Sequence, residues 1–200
     1  LVLLSNDGVL PLPANVRKIA VIGCHADTAR FFFGGYTHYS MEEGKRAVNS
    51  SMAGLATHSH DLKAITDKVP GTTIESSDRA EFEELLQRQQ PGIRSLLEEL
   101  RDRMPDTEIG WAYGYPFAGD DDSGHDEAIA LAAQADIVLL TLGGKHGTAS
   151  IASMGEGIDA TDINLPRCQD DLIVKLAKLD KPMVGVHLDG RPVSSDVADT

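Results

Sequence analysis

The chain has 200 residues, 42% of them hydrophobic, and a formal net charge of −13, enough apolar material for a sizeable core in one large domain. Nucleic acid demands clustered Lys and Arg against phosphate, which an acidic chain with a pI near 4.8 does not offer. The same sign disfavours an anionic membrane surface, and no apolar run nears the roughly 18 residues of a membrane span.

The stretch "GVLPLPANVR" (8–17) carries two prolines and reads as an extended lead-in. "KIAVIG" (18–23) is a short β-branched run closed by glycine, the mark of a buried strand. Residues 38–106 then break the pattern. "SMEEGKRAVNSSMAGLA" and "RAEFEELLQRQQPGIRSLLEELRDRM" read as helical, with a break at Pro91-Gly92, around a polar, turn-rich middle. This excursion is expected to be a helical and irregular insertion, partly mobile, serving as a lid or facing a partner. "EIGWAY" (108–113), "DIVLLTL" (136–142) and "MVGVHL" (183–188) are the further strands.

Two helices separate them. In "GHDEAIALAAQA" (124–135), Ile129, Ala132 and Ala133 share a face, and Ser123 or Asp122 is placed to cap the N-terminus. In "PRCQDDLIVKLAKL" (166–179), Pro166 suits a first turn and Asp170 and Asp171 suit the positive helix end. Leu172, Ile173, Leu176 and Leu179 then form the stripe of a helix lying on a sheet. Strand alternating with helix predicts α/β architecture: a doubly wound, mostly parallel sheet sandwiched by helices, with the insertion 38–106.

Ligands of such sheets collect at the carboxyl ends of the strands. Four segments begin there: "GCHAD", "GYPFAGDDDSG", "GGKHGTASIASMGEG" and "DGRPVSSD". None matches GxGxxG or the P-loop, so a nucleotide is not expected. The carboxylates of "DDDSGHD" are adjacent, whereas a calcium loop alternates them, so an acidic helix start is the better reading. His58 and His60 lie in the polar stretch with no third ligand in view, so no metal is expected. Cys24 and Cys168 stand far apart in no ligand spacing and read as free thiols, in keeping with a reducing, cytoplasmic setting. No G-x-S-x-G elbow marks a serine hydrolase. What stands out is Glu156, a single carboxylate between Gly155 and Gly157 after the clearest strand.

The pieces "NDGVLPLP", "KIAVIG" with "HAD", "GGY", "DIVLLTLGG", "GEGIDATDINLP" and "KPMVGVHLDGRP", in that order, resemble the second domain of glycoside hydrolase family 3, the β-glucosidase and β-xylosidase group. The likeness covers 1–37 and 107–196 and leaves the middle unmatched. It implies that residues 1–17 link a missing N-terminal (β/α)8 barrel, bearing an aspartate nucleophile, to an α/β sandwich over 18–200 that is incomplete at its end. It implies carbohydrate as substrate, no cofactor, and oligomeric assembly, including a homo-oligomer, as allowed.

The family's acid/base loop resembles "SGEGxDRxDLxLP", and here it reads "SMGEGIDATDINLP". The acid/base position therefore falls on Glu156, and Asp159, Asp162, Leu165 and Pro166 match. Met154 replaces a small residue, and Ala160 stands where an arginine is usual. Lys145, His146 and Met154 are the candidate substrate-binding residues, with loop positioning as the other role for the first two. Arg191 of "GRP" is expected to contact the loop or close the domain interface, a structural role in either case. The implied activity is that of a retaining, exo-acting β-glycosidase on glucosides or xylosides, with this domain alone inactive. The rival is a non-catalytic carbohydrate-binding or barrel-docking domain.

Overall fold

The computed structural model describes residues 1–53 and 67–198, the side chains of 48–53 excepted. His58 and His60 lie outside the described residues.

Four parallel strands form one sheet: β1 (Lys18–Ile22), β2 (Glu108–Ala112), β3 (Ile137–Gly143) and β4 (Met183–Leu188), in the order β2-β1-β3-β4. Ile19 sits level with Ile109 on one side and Ile137 on the other. The chain steps outward from β1 to β2, then back across β1 to β3. That reversal makes the sheet doubly wound, and because the strands run parallel their four carboxyl ends lie at one edge.

All seven residues of β3 are buried, and their side chains divide by the strand's period of two. Val138, Leu140 and Leu142 face one cluster with Ala20, Ile22, Leu172 and Leu176. Ile137 and Leu139 face the other with Ile19, Val21 and Leu97. Fully burying each such leucine or isoleucine contributes about 1.5–3 kcal/mol, so a central strand apolar on both faces fixes the layered arrangement.

Helices α4 (His125–Ala133) and α5 (Arg167–Ala177) cover the first face. The second is covered by α3 (Leu96–Arg103), which follows α1 (His38–Ala53) and α2 (Ala80–Gln89). The excursion 38–106 therefore supplies the β1-to-β2 crossover helix. Ser95 and Glu98 close a capping box at its start.

Two local expectations change. The N-cap of α4 is Gly124 rather than Ser123 or Asp122, and no side chain caps it. A Cβ on Gly124 would meet the Gly114 carbonyl oxygen at 2.7 Å, so the helix start is set by a close backbone approach. Its buried face runs through His125, Ala128 and Ala132, while Ala133 is exposed. For α5 the buried stripe of Leu172, Ile173 and Leu176 is as expected. Cys24 and Cys168 are both free and buried.

Candidate functional site

The candidate loop leaves β3 at Gly143, whose φ of 118° and lack of a Cβ let it pass Asp189. The Gln169 amide of α5 accepts from the Gly143 N–H at 2.9 Å and donates to its carbonyl at 2.8 Å. His25, from the turn after β1, approaches the Gly144 carbonyl through Nε2 at 3.0 Å. The Gly144 N–H donates to Asp189 at 3.3 Å. Neighbours from three other elements thus fix the loop's root.

Lys145 organises both arms. Its N–H donates to Ser153 Oγ at 2.8 Å, and its carbonyl accepts from the N–H groups of Ser153 and Met154 at 3.0 and 3.2 Å. Its ammonium points inward: the residue is 3% exposed and pairs with Glu43 of α1 at 2.7 Å. It also donates to the buried Ser77 hydroxyl. Burial pulls the Lys145 pKa down, and the Glu43 charge opposes this. A sugar hydroxyl has no access to that ammonium here, so of the two expected roles the geometry favours positioning over substrate contact.

His146 is half-buried among the backbones of Gly34, Gly35 and Gly190; a Cβ on Gly190 would lie 2.1 Å from His146 Cγ. Met154 is buried and bridges back to His146. Its terminal methyl lies 2.4 Å from where a Cβ of Gly144 would sit. Met154 also lines a cavity of about 560 Å³, together with Phe117, Asp162, Arg167 and Arg191. Ala160, at the usual arginine position, lines the same cavity.

The loop's middle, a 3-10 turn over Ala149–Ile151, packs on α1, with Ile151 buried beside Ala47 and Phe82. The Glu75 N–H donates to the Ser150 carbonyl at 2.8 Å. Gly155 has a φ of 145°, and a Cβ there would fall 2.0 Å from the Gly147 carbonyl oxygen. Glycine at 155 is thus required for the two arms to close on one another.

Glu156 follows at the tip, exposed, and accepts a hydrogen bond from the Tyr36 hydroxyl. Tyr36 is 73% exposed, on the loop after β1. Its phenol is pushed above the ordinary value by that hydrogen bond and by the negative charge of Glu156. Beyond the tip, Asp162 accepts from Asn164, and Leu165 is buried and tied to Ser194. The chain thus presents the exposed Glu156 carboxylate on a support fastened on the inward side. Such a group can give a proton to, or take one from, a molecule held against it.

Sequence reading placed Glu156 and Lys145 in the site but missed three partners. Tyr36 entered only as part of "GGY", His25 only as part of "HAD", and Glu43 lay in a helix with no sign of its role.

A family model described as the glycosyl hydrolase family 3 C-terminal domain matches residues 1–199, including the excursion that the motifs alone left unmatched. A β-xylosidase of Formosa agariphila is 33% identical over 105 residues, covering 52% of this chain and 14% of its own length. A probable exo-1,4-β-xylosidase of Aspergillus terreus is 26% identical over 194 residues, covering 97% of this chain and 17% of its own. A solved GH3 exo-β-xylosidase in complex with a xylobiose aziridine probe aligns with a TM-score of 0.52 and 25% identity, over 90% of this chain and 16% of that one. The chain therefore spans well under a fifth of these relatives.

Proposed function

Because the chain belongs to the glycosyl hydrolase family 3 C-terminal domain family, we propose that it supplies the acid/base residue, Glu156, of a retaining, exo-acting β-glycosidase. The nucleophile comes from a (β/α)8 domain outside these residues. The substrate class is a terminal β-xyloside or β-glucoside, a reading supported by relatives named β-xylosidase and periplasmic β-glucosidase.

In the first step the nucleophile carboxylate attacks the anomeric carbon while protonated Glu156 gives its proton to the departing glycosidic oxygen. In the second, the Glu156 carboxylate takes a proton from water as that water displaces the enzyme carboxylate from the sugar. Retention asks for carboxyl groups about 5–5.5 Å apart, so the loop tip must come to rest close to the nucleophile. Lys145 acts from within to hold the loop, while His146 and Met154 shape the ground beside the sugar.

The observation that carries this reading is the exposed Glu156 carboxylate, met by the Tyr36 hydroxyl at the tip of an otherwise anchored loop. The test is Glu156→Gln in the full-length protein, assayed on glycosides with good and poor leaving groups. General acid catalysis is worth about 10²–10⁴-fold, so a loss of that order is expected with poor leaving groups. Good leaving groups should lose little in the first step, and azide should speed turnover by replacing base-assisted water. A uniform loss with no azide effect would sink the proposal in favour of a binding or docking domain.

A further inference from the structure

We propose that Glu43 and Lys145, with Ser77, are positioning residues: a buried ion pair on α1 and the β3 loop sets where the Glu156 carboxyl is presented. This rests on the acid/base reading above. Among the described residues, Glu43–Lys145 is the one ion pair with both side chains buried, at 2% and 4% side-chain exposure.

Its surroundings are polar and closed. Tyr39 donates to the same Glu43 oxygen at 3.2 Å, and Ser77 Oγ takes a second bond, from Arg30, at 3.3 Å. Four separate stretches of chain thus meet here: the turn after β1, α1, residues 75–78 and the β3 loop. Gly44, the next residue on α1, has no Cβ, and one would meet Thr148 Oγ1 at 1.9 Å, so helix and loop are in direct contact beside the pair.

A buried ion pair adds little to stability, since apolar residues of equal volume do as well. What it does provide is direction, because its energy falls away steeply when the partners shift. Lys145 is where direction matters, as its peptide holds the returning arm through Ser153 and Met154. Glu156 lies two residues beyond Met154. A displacement of Lys145 therefore carries straight to the loop tip.

The test uses the full-length enzyme with active sites counted by covalent trapping. Glu43→Gln strands the buried ammonium, whereas Lys145→Met with Glu43→Leu removes both charges and refills the space. A misplacement near 1 Å costs on the order of 100-fold. A loss of that order in kcat/KM is expected for alkyl glycosides in both variants, with much less change for the dinitrophenyl glycoside. The double variant should keep the wild-type melting temperature, which separates geometry from folding. Equal losses on both substrates, or a stable double variant with the wild-type ratio between substrates, would overturn the proposal. Glu156→Gln run alongside tells the two failures apart. If it lacks leaving-group dependence, the acid/base reading is wrong and the clamp falls with it. If it has that dependence and the double variant does not, only the clamp is wrong.

Discussion

Acidification should weaken this fold in part through His25, the most deeply buried of the histidines whose pKa is lowered. The side chain is fully buried, with Nε2 at 3.0 Å from the Gly144 carbonyl. Nδ1 lies 3.4 Å from Cys24 Sγ and 3.2 Å from the Thr141 carbonyl. The two ring nitrogens face two carbonyls, and the neutral ring carries one proton to donate to one of them. Burial lowers the His25 pKa from 6.5 to about 4, against the upward pull of the Gly144 and Thr141 carbonyls. The unfolded chain therefore takes up a proton near pH 6.5 and the folded one only near 4. Above that window the titration of His25 makes no difference to stability. As pH falls through it, the unfolded state gains protons first and stability drops. The gap corresponds to about 3 kcal/mol by pH 4, a large share of the roughly 5–15 kcal/mol of a typical domain. His25→Gln keeps an N–H for the Gly144 carbonyl and cannot titrate. Urea unfolding at a series of pH values, followed by the single tryptophan, Trp111, should show the wild type losing about 3 kcal/mol more than the variant between pH 7 and 4. Carboxylates titrate in both proteins and cancel. Parallel decline of the two would refute the buried neutral imidazole.

Gly155→Ala should destabilise by about 1–3 kcal/mol, from backbone strain and the collision with Gly147. Thermal unfolding would measure it, with Gly157→Ala, where a Cβ meets nothing within 4 Å, as the milder comparison. Glu156→Gln should bring the Tyr36 phenol back down toward its ordinary value of 10.0, because the variant weakens the hydrogen bond and removes the charge that together raise it. Ultraviolet titration of tyrosinate, with Tyr36→Phe to assign the step, checks this, and an unmoved titration would mean the two groups do not meet in solution.

The strands were legible because their signal is local. A run such as "IVLLTLG" is apolar at every position but Thr141, and burial on both faces is the arrangement that uses it. The face of α4 was harder. In an alanine-rich helix Ala133 and Ala128 carry the same hydrophobicity, and what separates them is the close approach of Gly124 to Gly114. Lys145 shows the larger gap. In sequence it is a cation in a glycine-rich loop, the usual setting of a solvated side chain. Its counter-charge, Glu43, sits 102 residues earlier, and no spacing rule reaches that far. Glu156 was legible through the motif around it, while the hydroxyl that meets it comes from 120 residues away.

The glycines of the loop carry a general point about how a proton donor is presented. Glycine on both sides of an acid suggests freedom, yet a catalytic group must be held within about 0.5 Å of its working position. A floppy tip would lose more in orientation than it gained in reach. Here Gly155 works the opposite way: having no side chain, it lets two backbone arms close into a ladder. Gly44 does the same for the helix behind. Rigidity is thereby built from the residue type most associated with motion, and the loop's inward side is filled with Lys145, Ile151 and Met154. Glu156 and most of the stretch that follows it, to Asn164, face outward. On the proposed function, the position of Glu156 is set within this chain, and its distance to the nucleophile by how the proposed barrel docks against it. Substitutions behind the loop should therefore act on proton transfer, and substitutions at the docking face on the attack at the anomeric carbon.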